Sequence, residues 1–343
     1  MRLAIRIVAF FFLFLGLNWL YKRWELTQFL DEEASQVLQV RKIANCDVIY
    51  ISESSNFSPD NSDDFDRRKL SQFIADFYPD LQFEAINLPA SHAGIYRQLL
   101  HIFPENNDVK TLIVAVNLRS FNANWINSKL ETPLNKSAVM YNNRPPLFNR
   151  FLISLNAYDD RSIEEREKIM LNHWEIDELP FAYPHDNVKN WTAEEKWGDW
   201  QHPKRQLADH FIKQYAYVID EDNPRIKDLD EIVTIAKSKG WNLMFHILAE
   251  DIDRADELVG PQLPQIMRSN SDWITQRYLD QGITVVNNLE LLPSLEFAEE
   301  DFPSEHYFEK GRKALALNVA LELEKFYADQ FKNAPWVHTQ NHN

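Results

Sequence analysis

Two short segments, far apart in the chain, carry the residue types needed for acyl chemistry. The first is Asp47-Val48-Ile49-Tyr50-Ile51-Ser52-Glu53-Ser54-Ser55-Asn56, an apolar run that stops at an acidic, serine-rich turn. The second is Asp301-Phe302-Pro303-Ser304-Glu305-His306-Tyr307-Phe308-Glu309-Lys310-Gly311-Arg312, which sets a histidine just ahead of a long helical stretch. A serine hydroxyl is a weak nucleophile at neutral pH. It attacks a carbonyl only with a base in hydrogen-bond reach, and that base is commonly oriented by an acid. The oxyanion that develops needs donors aimed at it, and losing one such donor typically costs ~10² to 10³ in rate.

Other chemistries find less support. His185 and His202 share a loop region with Asp186 and Asp199, but no HExxH-like ligand spacing occurs, and no metal is expected. Cys46 is the only cysteine, which excludes an intrachain disulfide and reads as a small buried residue. The chain has 7 glycines, none spaced for GxGxxG or a P-loop, so no nucleotide cofactor is expected. The formal net charge of −16 argues against a nucleic-acid partner. Trp191, Trp197 and Trp200 could stack on sugar rings, though packing anchors are the commoner use of such residues.

The elements that must position the serine and histidine are legible as short apolar runs. Val48–Ser52, Phe83–Ile86, Thr111–Val116, Asn242–Leu248 and Ile283–Val286 read as strands buried on both faces. Helical spacing lies between them at 67–77, from Ser91 onward, at 226–239 and at 273–281, with a closing helix at 308–326. Such alternation predicts an α/β fold: a flavodoxin-like three-layer sandwich around a mainly parallel five-stranded sheet. Ligands bind such sheets at the C-terminal ends of the strands. This rule singles out Ser52 to Asn56, Asn87 to Gly94, Asn117 to Ser120, His246 to Asp251 and the loop ending at His306. His246, inside an apolar strand, reads as a satisfied core histidine. Residues 122–223, rich in Trp, Tyr, Pro and Asn, interrupt the alternation as an insertion, either a cap over the site or an addition at the strand ends.

With these blocks in place, the chain resembles the SGNH (GDSL-like) hydrolase superfamily over roughly 47–122 and 242–327. Ser52-Glu53-Ser54 stands where that family has Gly-Asp-Ser, which implies Ser54 as nucleophile. Gly94 and Asn117 match its second and third blocks, and with the Ser54 N–H they are the implied oxyanion donors. His306 matches the histidine before the last helix and is the implied base. The family's acid, three residues ahead of that histidine, is replaced by Pro303, which leaves Glu305, Asp301 or Glu300 as stand-ins. Glu53, Ser55 and His92 border these blocks and are candidates for substrate contact; for His92 a polar role at a helix N-terminus is the simpler reading. Ser54 and Asn117 each have a plain alternative as turn caps, and Gly94 as a helix-packing glycine.

Residues 3–21 are almost wholly apolar and run into Trp19, Tyr21, Lys22, Arg23 and Trp24. This is the length and flanking pattern of an uncleaved membrane anchor with an interfacial aromatic belt. The expected organisation is an anchor at 1–24, a linker or helix at 25–46, the α/β domain at 47–332 and a disordered tail at 333–343. The resemblance to anchored members of the superfamily implies an extracytoplasmic esterase or O-acyltransferase acting on an envelope polysaccharide, with a membrane-bound acyltransferase as partner. The competing expectation is a catalytically inactive accessory protein on the same fold.

Overall fold

The computed structural model describes residues 1–60, 62–159, 161–181 and 185–337. The five apolar runs form one all-parallel sheet in the order β2-β1-β3-β4-β5. In chain order, α1 (Arg2–Trp24), α2 (Leu26–Glu33) and α3 (Ser35–Lys42) precede β1 (Val48–Ser52). Then come α4 (Leu70–Ala75), β2 (Phe83–Asn87), α5 (Ala93–His101) and β3 (Thr111–Val116). The middle of the chain is helical: α6 (Ala123–Asn127), α7 (Thr132–Met140), α8 (Pro146–Ser154), α9 (Ile163–Ile176), α10 (Glu194–Trp197) and α11 (Pro203–Tyr215). Next are α12 (Pro224–Lys239), β4 (Asn242–Ile247), α13 (Ile252–Leu258), α14 (Gln262–Leu279), β5 (Thr284–Asn287) and α15 (Glu309–Tyr327).

The continuous apolar strands follow from burial on both faces, because side chains alternate across a strand. Ile49 and Ile51 of β1, with Leu112 and Val114 of β3 and Phe245 of β4, pack against α5, α12 and α14. Val48, Tyr50, Ile113 and Met244 face the other way, onto α4 and α15. The result is a three-layer α/β sandwich of flavodoxin-like strand order. His246 sits fully buried in β4, with Tyr50 Oη 2.9 Å from Nδ1 and Asn288 Nδ2 2.8 Å from Nε2. Burial lowers its pKa to about 3, so it is a neutral core residue, as its place in an apolar strand leads one to expect.

Among the described residues α1 is the one helix long and apolar enough to cross a membrane. The stretch at 25–46 is mostly helical. The tail departs from the expectation of disorder: Ala334 and Trp336 are buried, the Trp336 ring meets Phe73 and Phe77 edge-on, and its indole N–H donates to Asp76 at 2.8 Å. Residues 338–343 lie outside the described part. Trp191 is buried, and the Trp197 indole donates to the Leu258 carbonyl at 2.6 Å, so both anchor the middle section to the domain. Trp200 stays exposed.

Candidate functional site

The chain leaves β1 toward β2 on one side and returns to β3 on the other, so the β1/β3 edge is the switch point at which such sheets bind ligands. Ser54 stands there. It opens a short 3₁₀ turn, Ser54–Asn56, immediately after the buried Glu53. Ser54 is half-buried, whereas Ser55 is fully buried. The hydroxyl open to a ligand is therefore that of Ser54, and Ser55 does not reach solvent as a substrate contact would have to. Glu53 fixes the turn: its Oε2 accepts from Ser54 Oγ at 2.7 Å and its Oε1 from the Ser55 N–H at 3.1 Å. Burial, then the neighbouring Glu305, raises the Glu53 pKa. Ser52 does not loosen the turn where a glycine was expected. It donates to Asn87 Oδ1 at 2.8 Å, and Asn56 Nδ2 donates to the same oxygen at 2.5 Å, tying the ends of β1 and β2 together.

Asn117 follows β3. β1 and β3 pair in parallel, so the turns at Ser54 and Asn117 leave the same edge of the sheet. Its Oδ1 caps the next turn by accepting from the Arg119 N–H at 2.8 Å, while its buried Nδ2 has no partner. A buried amide left without an acceptor is uncommon, since such groups cost ~1–3 kcal/mol when unsatisfied. Gly94 is placed differently. It lies in the first turn of α5, its N–H donates to His92 Nδ1 at 3.2 Å, and a Cβ there would come within 2.7 Å of Asp228 Oδ2 and 2.8 Å of an Arg225 nitrogen. The glycine lets α5 approach α12, and its N–H is already engaged, which removes it as an oxyanion donor. The left-handed backbone of this loop falls at Ala90, with φ 52°.

His92 is also not a substrate contact. It is buried, caps α5 and joins Arg225 and Glu131, with its Nε2 3.2 Å from Glu131 Oε2. Burial and then Arg225 lower its pKa to about 4, so the imidazole is neutral.

His306 is half-buried, on a loop folded back on itself. Phe297 and Tyr307 form an antiparallel bridge, the Ala298 N–H donates to the His306 carbonyl at 2.9 Å, and Phe308 N–H to Glu296 at 2.9 Å. Tyr307 Oη anchors the loop by donating to the Ala249 carbonyl at 2.9 Å. Gly311 packs too closely against Leu292, Glu296 and Tyr307 to take a larger side chain without a shift, since a Cβ there would stand 3.1 Å from a Leu292 methyl. This fold-back brings Glu299, seven residues upstream, to 2.8 Å from His306 Nδ1. Ser304 Oγ donates to its other oxygen. The acid on His306 is thus Glu299, and its hydrogen bond is the main cause of the raised His306 pKa. Glu305 and Glu53 raise it further; the Ser54 hydroxyl is hydrogen-bonded to Glu53, and no hydrogen bond joins it to His306 among the described residues.

The three acids considered from sequence do other things. Asp301 and Glu300 are exposed. Glu305 is buried and takes both arms of the Arg119 guanidinium, Nε to Oε1 at 2.5 Å. Beside it Glu250 is fully buried, accepts from Tyr215 Oη at 2.6 Å, and is driven well above the ordinary carboxylate range by desolvation and then by Glu305. Burial thus favours the neutral acid at Glu250, whose Oε1 has no hydrogen-bond partner among the described residues. Glu299, Arg119 and Glu250 were all missed as site residues in the sequence. Their only signal was position, close to a strand end or to the histidine. Among the described residues no group of three or more His, Cys, Asp or Glu side chains is arranged to hold a metal ion.

No family model matches the sequence, and no curated protein matches it. Solved structures that match include one provisionally described as an acylhydrolase, from Bacteroides fragilis, at 7% identity, with a TM-score of 0.38 over 84% of this chain and 94% of the other. Another is a GDSL-like lipase from Bacteroides thetaiotaomicron, at 8% identity, with a TM-score of 0.37 over 88% of this chain and 98% of the other.

Proposed function

We propose that this protein is a membrane-anchored serine esterase or O-acyltransferase whose body lies outside the cytoplasm and acts on acyl esters of an envelope glycan. The observation that carries this reading is the His306–Glu299 pair. Glu299 occupies Nδ1, so Nε2 is the nitrogen left to take a proton, and the half-buried Ser54 is the serine that would give it. Ser54 Oγ attacks the acyl carbonyl as its proton passes to His306 Nε2, and Glu299 stabilises the imidazolium. The oxyanion is held by Asn117 Nδ2 and the Ser54 N–H. His306 returns the proton to the leaving alkoxide. Water then attacks the Ser54 ester to release acid, or a sugar hydroxyl attacks it to complete transfer. Catalysis begins with a turn of the Ser54 hydroxyl away from Glu53, since a free site commonly lacks the aligned nucleophile–base bond.

The test uses an isotopically labelled acyl ester with the full-length protein and an envelope glycan. Label recovered as free acid assigns hydrolysis, and label in the glycan assigns transfer. Neither product, with folded protein, removes both. The Ser54–Glu53 hydrogen bond also favours a second reading, an inactive accessory protein on this fold that partners a membrane-bound acyltransferase. That reading expects Ser54→Ala to leave the biological activity intact.

A further inference from the structure

The middle of the chain touches the anchor. Asn18 is the one buried residue of α1, and its Oδ1 accepts from the Leu147 N–H at 3.1 Å, in the first turn of α8. A polar side chain in a membrane span is costly unless paired, and the first N–H groups of a helix need an acceptor, so each end satisfies the other. Trp19 and Trp24 project from α1 at this level, the residue type that marks the headgroup zone. Helix α8 is two-faced. Asn149 and Ile153 are buried against the body, while Phe148, Phe151 and Leu155 are 38%, 56% and 60% exposed. The last three share one face at i, i+3 and i+7.

Behind α8, between it and α1–α2, lies a cavity of about 590 Å³. Its wall holds Lys22, His101 and Arg144; His101 is ion-paired with Glu231 at 2.6 Å, so Lys22 and Arg144 are the bases it offers. The buried Arg144 Nε on this wall is a donor without a hydrogen-bond partner among the described residues. Phe29 and Leu30 supply an apolar side.

We propose that α8 lies in the bilayer interface beside the anchor, and that the cavity behind it takes the headgroup of an anionic phospholipid. The inference rests on the reading of α1 as a membrane anchor. The apolar stripe of α8 continues the apolar surface of α1, so the same bilayer covers both. An acidic body is repelled by an anionic membrane surface, and Lys22 with Arg144 on this wall is what admits a phosphate there. The mouth of the catalytic rim is then held at a fixed height above the lipid.

The full-length protein in nanodiscs tests this. Single cysteines are introduced as Phe11→Cys, Phe151→Cys or Ser238→Cys and labelled with an environment-sensitive dye. The native Cys46 is buried, its thiol pushed up to about 12, and does not compete. With spin-labelled lipid, positions 11 and 151 are expected to lose most of their emission and position 238 none. Quenching at 151 is expected to be stronger from spin-labelled phosphatidylglycerol than from phosphatidylcholine, with anionic lipid enriched about five-fold for each basic residue engaged. Lys22→Gln with Arg144→Gln, checked for fold by circular dichroism, is expected to erase that preference. Quenching at 11 without quenching at 151 overturns the proposal while the anchor stands, and points to a protein partner on α8. No quenching at either position overturns the anchor itself. Quenching at 151 with no lipid preference overturns the headgroup site.

Discussion

Glu299→Gln isolates the acid that the sequence pattern had lost. The substitution keeps the side-chain shape and can still accept from His306 Nδ1, but it removes the charge that stabilises the imidazolium. A hydrogen bond to a charged partner contributes ~1.5–3 kcal/mol net. Here the two side chains are 31% and 27% exposed, and solvent screening argues for the lower part of that range, about 1.5–2 kcal/mol. Expressed as rate this is a ~10- to 30-fold loss of kcat/KM. The same loss lowers the His306 pKa, because the Glu299 hydrogen bond is the main cause that raises it. The sign is fixed by the chemistry. His306 acts as a base in its neutral form, so kcat/KM rises with pH through its pKa, which Glu299 raises. Without the carboxylate the acid limb moves to lower pH while the plateau falls. The assay is the pH profile of p-nitrophenyl acetate hydrolysis by the full-length protein in detergent, beside Glu305→Gln. An unmoved limb and an undiminished plateau in Glu299→Gln refute the assignment of this acid.

Further outcomes follow from the same geometry. Asn117→Ala removes the unpartnered amide and is expected to lower kcat by ~10² to 10³ with little change in KM; equal rates would exclude Asn117 from the oxyanion site. Gly94→Ala places a methyl group against Asp228 and Arg225, and is expected to cost ~1–3 kcal/mol in urea denaturation while sparing turnover per folded molecule. A normal stability with lost turnover would return the Gly94 N–H to the reaction. His246 is held neutral by burial down to about pH 3, whereas the unfolded chain protonates it near 6.5. Its contribution is therefore full above the unfolded value and is lost as pH falls below it, with a slope on the order of 1.4 kcal/mol per pH unit. Relative to wild type, His246→Gln is expected to flatten the fall in the urea midpoint between pH 6.5 and 4; parallel curves would contradict the neutral assignment.

The fold was legible because a parallel sheet buried on both faces leaves uninterrupted apolar runs. The reading of β1 and β3 matches the structure to the residue, and β2, β4 and β5 shift by one residue at their ends. Ser54 and Asn117 follow β1 and β3, at strand ends where the α/β rule puts ligands, and His306 lies on the loop ahead of α15; their chemical roles are proposals. Three things escaped. Glu299 reaches His306 through a fold-back whose only sequence trace is the Phe297 and Tyr307 pair; counting three residues back from the histidine reaches Pro303, and the stand-ins named in its place did not include Glu299. Gly94 and His92 sit near the right block but serve the contact between α5 and α12, which depends on Arg225, Glu131 and Asp228 from distant segments. In the middle section the sequence shows one helical stretch, 163–174, which is α9; α6, α7 and α8 escaped because they are short, and α8 is apolar on a face that the body does not cover. The tail from Asn333 read as disordered, yet in its described part, up to Val337, Trp336 packs against Phe73 and Phe77.

The central claim is that Ser54 is an activated nucleophile served by His306. Its most direct test is labelling of the full-length protein, in detergent or nanodiscs, with a fluorophosphonate probe, beside Ser54→Ala and His306→Ala. Labelling of the wild type at the Ser54 peptide, lost in both variants, is the expected result. A folded wild type that stays unlabelled, or labelling that survives Ser54→Ala, would contradict the claim.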